Sequence, residues 1–151
     1  MPLNPGPSVP PSIQSQVMAR VKTLLDGAGF CAAYRCRMTA FDPSQLPATN
    51  ILPEDGEPDY LDTDSIDRIF RFKARHIAVA VDEVDAAVDC LYVAGQRALF
   101  ADPTLGGLVR IIRERSQKWE MEKGSYDSVA LAVIYEVEFD TSKKDPSIAG
   151  T

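Results

Sequence analysis

Between Val129 and Phe139 every second residue is apolar: Val129, Leu131, Val133, Tyr135, Val137 and Phe139. A period of two places all six on one face of a β-strand, whereas a helix would scatter them around its axis. The chain must therefore build a sheet with a buried face around this segment. The opposite side ends in Glu136, Glu138 and Asp140, which have to meet either water or opposite charge. Gly124 separates the segment from a polar, mixed stretch carrying Arg110, Arg113, Glu114, Arg115, Lys118 and Trp119. That spacing predicts a hairpin of strands 109–123 and 125–141.

A second long strand is predicted from Ile66 to Val81. Ile66, Phe70, Phe72, Ala74, Ala78 and Ala80 fall on one side, and Arg71, Lys73 and Arg75 on the other. The basic side turns apolar at Ile77, Val79 and Val81, so this end should be covered on both faces. Laid antiparallel beside 125–141, the strand would bring its basic stripe to the acidic run of Glu136, Glu138 and Asp140, where opposite charges help to fix register. Mutual pairing on one wet sheet face is the simpler account of the two stripes, and a binding surface is the other. His76, the only histidine, lies on the apolar side. No Cys, His or carboxylate stands at ligand spacing from it, so it reads as a core or interface residue.

Between these strands Asp82 is a candidate N-cap, with Asp85 favourably placed in the first turn. Val84, Ala87, Val88, Leu91, Gly95, Ala98 and Leu99 then share one helical face, kept shallow by its alanines and glycine, while Val93 and Phe100 point outward. Pro103 and Gly106-Gly107 end the helix. Nearer the N-terminus, Ser12 caps a first helix with Ile13, Val17, Val21, Leu24 and Ala28 in phase, closed by Gly27 and Gly29. A basic strand should follow from Phe30 to Phe41. Residues 42–64 hold four prolines and seven acidic residues, among them Glu54, Asp55, Glu57 and Asp59. They read as a long acidic loop with at most a short edge strand at 49–52. The run D-G-E-P-D-Y-L-D-T-D does not match a calcium-binding EF-hand loop. Five prolines in residues 1–11 mark an arm expected to be disordered, as is the tail 142–151. The expected fold is α+β: a mostly antiparallel sheet of four to five strands with two main helices packed on one face, as a single domain over 12–141.

At 151 residues with 45% apolar content, the chain can bury one real core. A net charge of -6 disfavours non-specific affinity for nucleic acid or anionic membrane, so protein partners are the expectation. No apolar run is long enough to span a bilayer, and the N-terminus lacks the pattern of a signal peptide, which points to the cytoplasm. Three cysteines in such a setting are expected to be free, buried and inert. No nucleophile–base set, paired-histidine metal motif or complete phosphate loop is visible, so no catalytic, cofactor or metal residues are assigned.

The segment L-F-A-D-P-T-L-G-G-L-V-R-I-I at 99–112, followed by a charged strand, a glycine turn and the apolar strand 129–139, resembles the tail terminator (minor tail protein U-like) family of long-tailed bacteriophages and prophages. The opening amphipathic helix before a basic strand fits as well, and the similarity spans about residues 12–140. The resemblance implies a structural protein without cofactor. It would form a ring, typically of six subunits, that caps the tail tube, ends its polymerisation and joins the head connector. Its partners would be further copies of itself, the tail tube protein and the head connector protein. It would be found in the host cytoplasm and then at the head-proximal end of the virion tail. Candidate interface residues are Arg71, Lys73, Arg75, Arg110, Arg113 and Arg115, opposed by Glu54, Asp55, Glu57 and Asp59 of the acidic loop. Segregated acid and base would suit head-to-tail packing. Three other readings stay open: a head–tail connector or completion protein, a regulatory adaptor, and an enzyme or ligand-binding domain with a pocket near Tyr60, His76 and Trp119.

Overall fold

A computed structural model describes residues 9–29, 31–60 and 64–150. In chain order its elements are α1 (Ile13–Asp26), β1 (Ala32–Arg35), a short 3-10 turn (Pro43–Gln45), β2 (Ala48–Tyr60), β3 (Ser65–Val79), α2 (Val84–Phe100), β4 (Ile111–Glu122) and β5 (Ser128–Ser142). The strands form one five-stranded sheet in the order β1-β2-β3-β5-β4. Only the β1–β2 pair is parallel, which makes the fold α+β with a mostly antiparallel sheet.

The two alternating strands read from the sequence are neighbours at the centre of this sheet. Phe72 lies opposite Tyr135 and Ala74 opposite Val133, so their apolar sides coincide. Phe72 and Tyr135 stack with ring centroids 5.4 Å apart. Val17, Val21 and Leu25 of α1 and Val88 and Leu99 of α2 complete the same core cluster. The buried Tyr135 hydroxyl donates to Gln96 of α2 at 2.6 Å, so the largest core side chain carries no unpaired polar atom.

At Gly95, α2 packs closely against α1 and β3. A β-carbon there would lie 3.2 Å from Leu25 Cδ2 of α1 and 3.3 Å from His76 Cε1 of β3. Beyond the helix, Asp102 Oδ2 accepts from Arg20 Nε and Nη2, at 3.1 and 2.9 Å, while its Oδ1 accepts from the Gly106 amide. That amide and the Arg20 guanidinium hold the Asp102 carboxyl below its ordinary range. Leu105, at a φ of 49°, is fully buried in the core. The D-P-T-L-G-G stretch is thus a lock between α1 and the turn after α2.

Several expectations need correction. Residues 48–60 of the acidic loop are in fact β2, a thirteen-residue strand paired with β3. Prolines read as loop because they cannot donate to a neighbouring strand. Here β1 covers β2 only at Ala48–Ile51, so Pro53 and Pro58 belong to a stretch whose outer side no strand among the described residues covers. The predicted strand 30–41 shrinks to β1 because Cys36 adopts a φ of 52° and turns the chain away. The following segment crosses to the other sheet face, where Phe41, Tyr34 and Leu46 cover Ile77, Ala48 and Ala130. This accounts for the basic-to-apolar switch along β3.

The N-cap of α2 is Glu83, at a φ of 58° and without a side-chain cap, rather than Asp82; the short β3–α2 connection forces the turn. Ala87 is exposed instead of buried. Ser12 does cap α1, its Oγ accepting from the Ser15 amide at 3.1 Å. The tail is ordered over its described residues, since Ser142 N donates to Ile148 O and Gly150 N to Asp140 O. It also accepts a bond from the Ile13 amide at Pro146 O, which docks it at the start of α1. Of the proline-rich arm 1–11, residues 1–8 lie outside the described residues. All three cysteines are free, but Cys36 and Cys90 are exposed and only Cys31 is partly buried.

Candidate functional site: the charged sheet face

The face of the sheet opposite α2 collects nearly all the charges singled out in the sequence. Register puts Arg71 of β3 between Asp55 of β2 and Glu136 of β5, and Glu136 in turn opposite Arg113 of β4. Arg71 donates to Asp55 at 3.1 Å, Glu57 at 3.2 Å and Glu136 at 3.1 Å. The bond that Arg71 donates to Asp55, then that to Glu57, raises the Arg71 pKa further, so this side chain is a permanent cation. Lys73 pairs with Glu54 at 2.9 Å, and Arg75 with Glu122 and, at 3.6 Å, Glu120. Arg110 bridges Asp67 and Asp140, and Arg113 reaches Glu138 at 2.8 Å.

Glu136 is the hub of this network. Its side chain is 6% exposed, and Arg71, Arg113 and Arg115 all lie within 4 Å, at 3.1, 3.5 and 3.9 Å. A carboxylate removed from water in this way needs such partners, and the three guanidiniums supply them.

The expected segregation of acid on the loop and base on the strands is therefore absent. Glu54, Asp55 and Glu57 neutralise Lys73 and Arg71 within one chain. Of the ten candidates, two keep unsatisfied charge among the described residues. Asp59 lies across from Asp67, itself engaged by Arg110, and has no cation partner. Arg115 has only the 3.9 Å contact and is half-exposed. Lys118 was not among the candidates, yet it too is exposed and without a carboxylate partner among the described residues. Its neighbours Glu120 and Glu122 were overlooked as partners of Arg75. Their i, i+2 spacing puts both on the face that β4 turns toward the charged stripe.

Tyr60, His76 and Trp119 do not form a pocket. Tyr60 is opposite Ile66 and His76 opposite Leu131, ten positions apart along β3, which amounts to about 34 Å of strand. His76 is 1% exposed, with Nδ1 hydrogen-bonded to Thr49 Oγ1 at 2.8 Å and Nε2 without a partner among the described residues. Burial pushes its pKa down to about 4. Thr49 Oγ1 also lies 3.4 Å from Cys31 Sγ, whose thiol pKa is raised by burial. This is a structural polar chain within the core.

Among the described residues, no group of three or more metal-ligating side chains is placed to hold an ion. Among the same residues, no helix is long and apolar enough to cross a membrane. Compared with known proteins, the chain matches no family model and no curated sequence.

Proposed function

We propose that the chain is a structural assembly protein of the tail-terminator kind. It would form a ring on the finished tail tube, end polymerisation and offer a surface to the head connector. The observation that carries this reading is where uncompensated charge remains once internal pairs are counted. Asp59 stands on β2, and Arg115 stands on β4, with β3 and β5 between them. Opposite charges toward opposite sides of one sheet suit a head-to-tail contact that repeats around a closed ring. The 99–112 segment adds support: it is a built unit, held by Arg20, Asp102 and buried Leu105, on which the family resemblance rests.

The test is sizing and negative-stain imaging of the purified protein across concentration and salt, followed by addition to polymerising tail tubes. Rings and capped, length-limited tubes are expected. Tubes that grow unaffected by a protein remaining monomeric would refute the proposal. Arg115→Gln is expected to weaken assembly with little cost to the fold, because among the described residues Arg115 makes one ion contact, the longest of the three at Glu136 at 3.9 Å, and glutamine removes the charge without setting a carboxylate beside Glu136.

A further inference from the structure

The sheet has two open sides, and they differ in chemistry. Beyond Ile51 the outer side of β2 carries Pro53 and Pro58 among Glu54, Asp55, Glu57 and Asp59, features that discourage strand addition. The outer side of β4 is unlike it. Ile111–Glu122 contains no proline or glycine, and among the described residues no strand pairs with its free edge. One bulge, between Glu114 and Ser116, leaves Ser116–Glu122 as a regular seven-residue stretch.

Within that stretch the side chains sort by face. Trp119 and Met121 lie opposite Leu131 and Val129, on the core side, yet they are 43% and 81% exposed. Lys118 and Glu120 lie opposite Ala132 and Ala130, on the charged side. An exposed tryptophan beside an exposed methionine, on a bare strand edge, is an unfinished surface.

We propose that two copies of the chain associate by antiparallel pairing of β4 with β4, about a two-fold axis at Trp119. Cross-strand partners must share a face, so only registers whose paired numbers have an even sum are allowed in this stretch. With the axis at Trp119, Lys118 meets the partner copy's Glu120 and Glu120 meets its Lys118. Trp119 faces its own symmetry mate, and Gln117 meets Met121. Moving the axis to residue 118 sets lysine against lysine, and moving it to 120 sets glutamate against glutamate. Charge complementarity therefore selects the Trp119 register, and each two-fold contact is used twice. Glu120 can serve here because Arg75 retains its closer partner, Glu122.

The contact is isologous, so it does not depend on the ring proposed above. One edge cannot serve a two-fold mate and a head-to-tail neighbour at once, so the dimer is a state of the free protein. The short regular stretch makes it a weak, concentration-dependent one.

Trp119 is the only tryptophan, which gives a direct probe. Sedimentation should show a monomer–dimer equilibrium, and tryptophan emission should shift to shorter wavelength over the same concentrations. Lys118→Glu and Glu120→Lys, each made alone, should raise the dimer Kd by about tenfold, since each places like charges in contact twice. The double variant Lys118→Glu/Glu120→Lys should return most of the lost affinity, and circular dichroism should be unchanged in all three. A protein monomeric at every accessible concentration would overturn the proposal. A dimer that ignores both single changes, or a double variant no tighter than the singles, would overturn it as well. Tube capping is read separately, so its loss or survival does not stand in for this result.

Discussion

Stability should fall steeply between pH 6.5 and pH 4, and His76 should be the cause. In the unfolded chain His76 titrates near its ordinary 6.5; in the fold, burial lowers this to about 4. Below pH 6.5 the unfolded state binds a proton that the folded state refuses until about pH 4. The unfolded state thus holds more protons across that window, and stability declines as pH falls. Between these two pKa values the full loss comes to about 3 kcal/mol. Among the described residues, none of those that share His76's small cavity is charged at neutral pH: Leu25, Ala28, Cys31, Thr49, Leu91, Ala94 and Gly95 line it. The carboxyls of Asp26, Asp102 and Asp145 are all lowered from an ordinary 3.8, so their contribution is lost below this window. Urea denaturation at half-unit pH steps would measure the slope. His76→Asn is the control, because its amide can still meet Thr49 while the titrating ring is gone. If the variant and the parent lose stability in parallel from pH 6.5 to 4, the assignment to His76 is wrong.

Four other measurements probe the same architecture. Gly95→Val should destabilise by about 1–3 kcal/mol, since even its β-carbon would crowd Leu25 and His76; thermal melts would check this. Glu136→Ala should cost about 1–2 kcal/mol in chemical denaturation, a discounted value because Arg71 keeps Asp55 and Glu57 and Arg113 keeps Glu138. Arg113→Glu would face both Glu136 and Glu138 and should lower the melting temperature, whereas Arg115→Gln, which gives up a single 3.9 Å contact, should leave it nearly in place. With a thiol reagent on the native protein, Cys36 and Cys90 should react promptly and the partly buried Cys31, its thiol pKa raised by burial, more slowly.

The contrast between β5 and β2 explains how much of the fold was legible in the sequence. β5 sits between two strands and has a buried face, so burial wrote an unbroken period of two into Val129–Phe139. β2 beyond Ile51 has one neighbour and almost no burial, so nothing selects alternation there, and its prolines and acids imitate a loop. What holds that half of β2 in the sheet is the backbone ladder to β3 and the charge of Arg71 and Lys73, both supplied by residues distant in sequence. The same non-locality governs the charged surface. The stripes on β3 and β5 could be read as complementary, but the sequence could not place Glu54, Asp55 and Glu57 across from them, because that needed β2 to be a strand. Once it is one, the residues that looked most like a binding surface are largely consumed by internal pairs. Among the described residues, the charge and edge left uncompensated lie at Asp59, Arg115 and β4, where Lys118, Trp119 and Glu120 stand in a polar strand whose outer side no described strand covers.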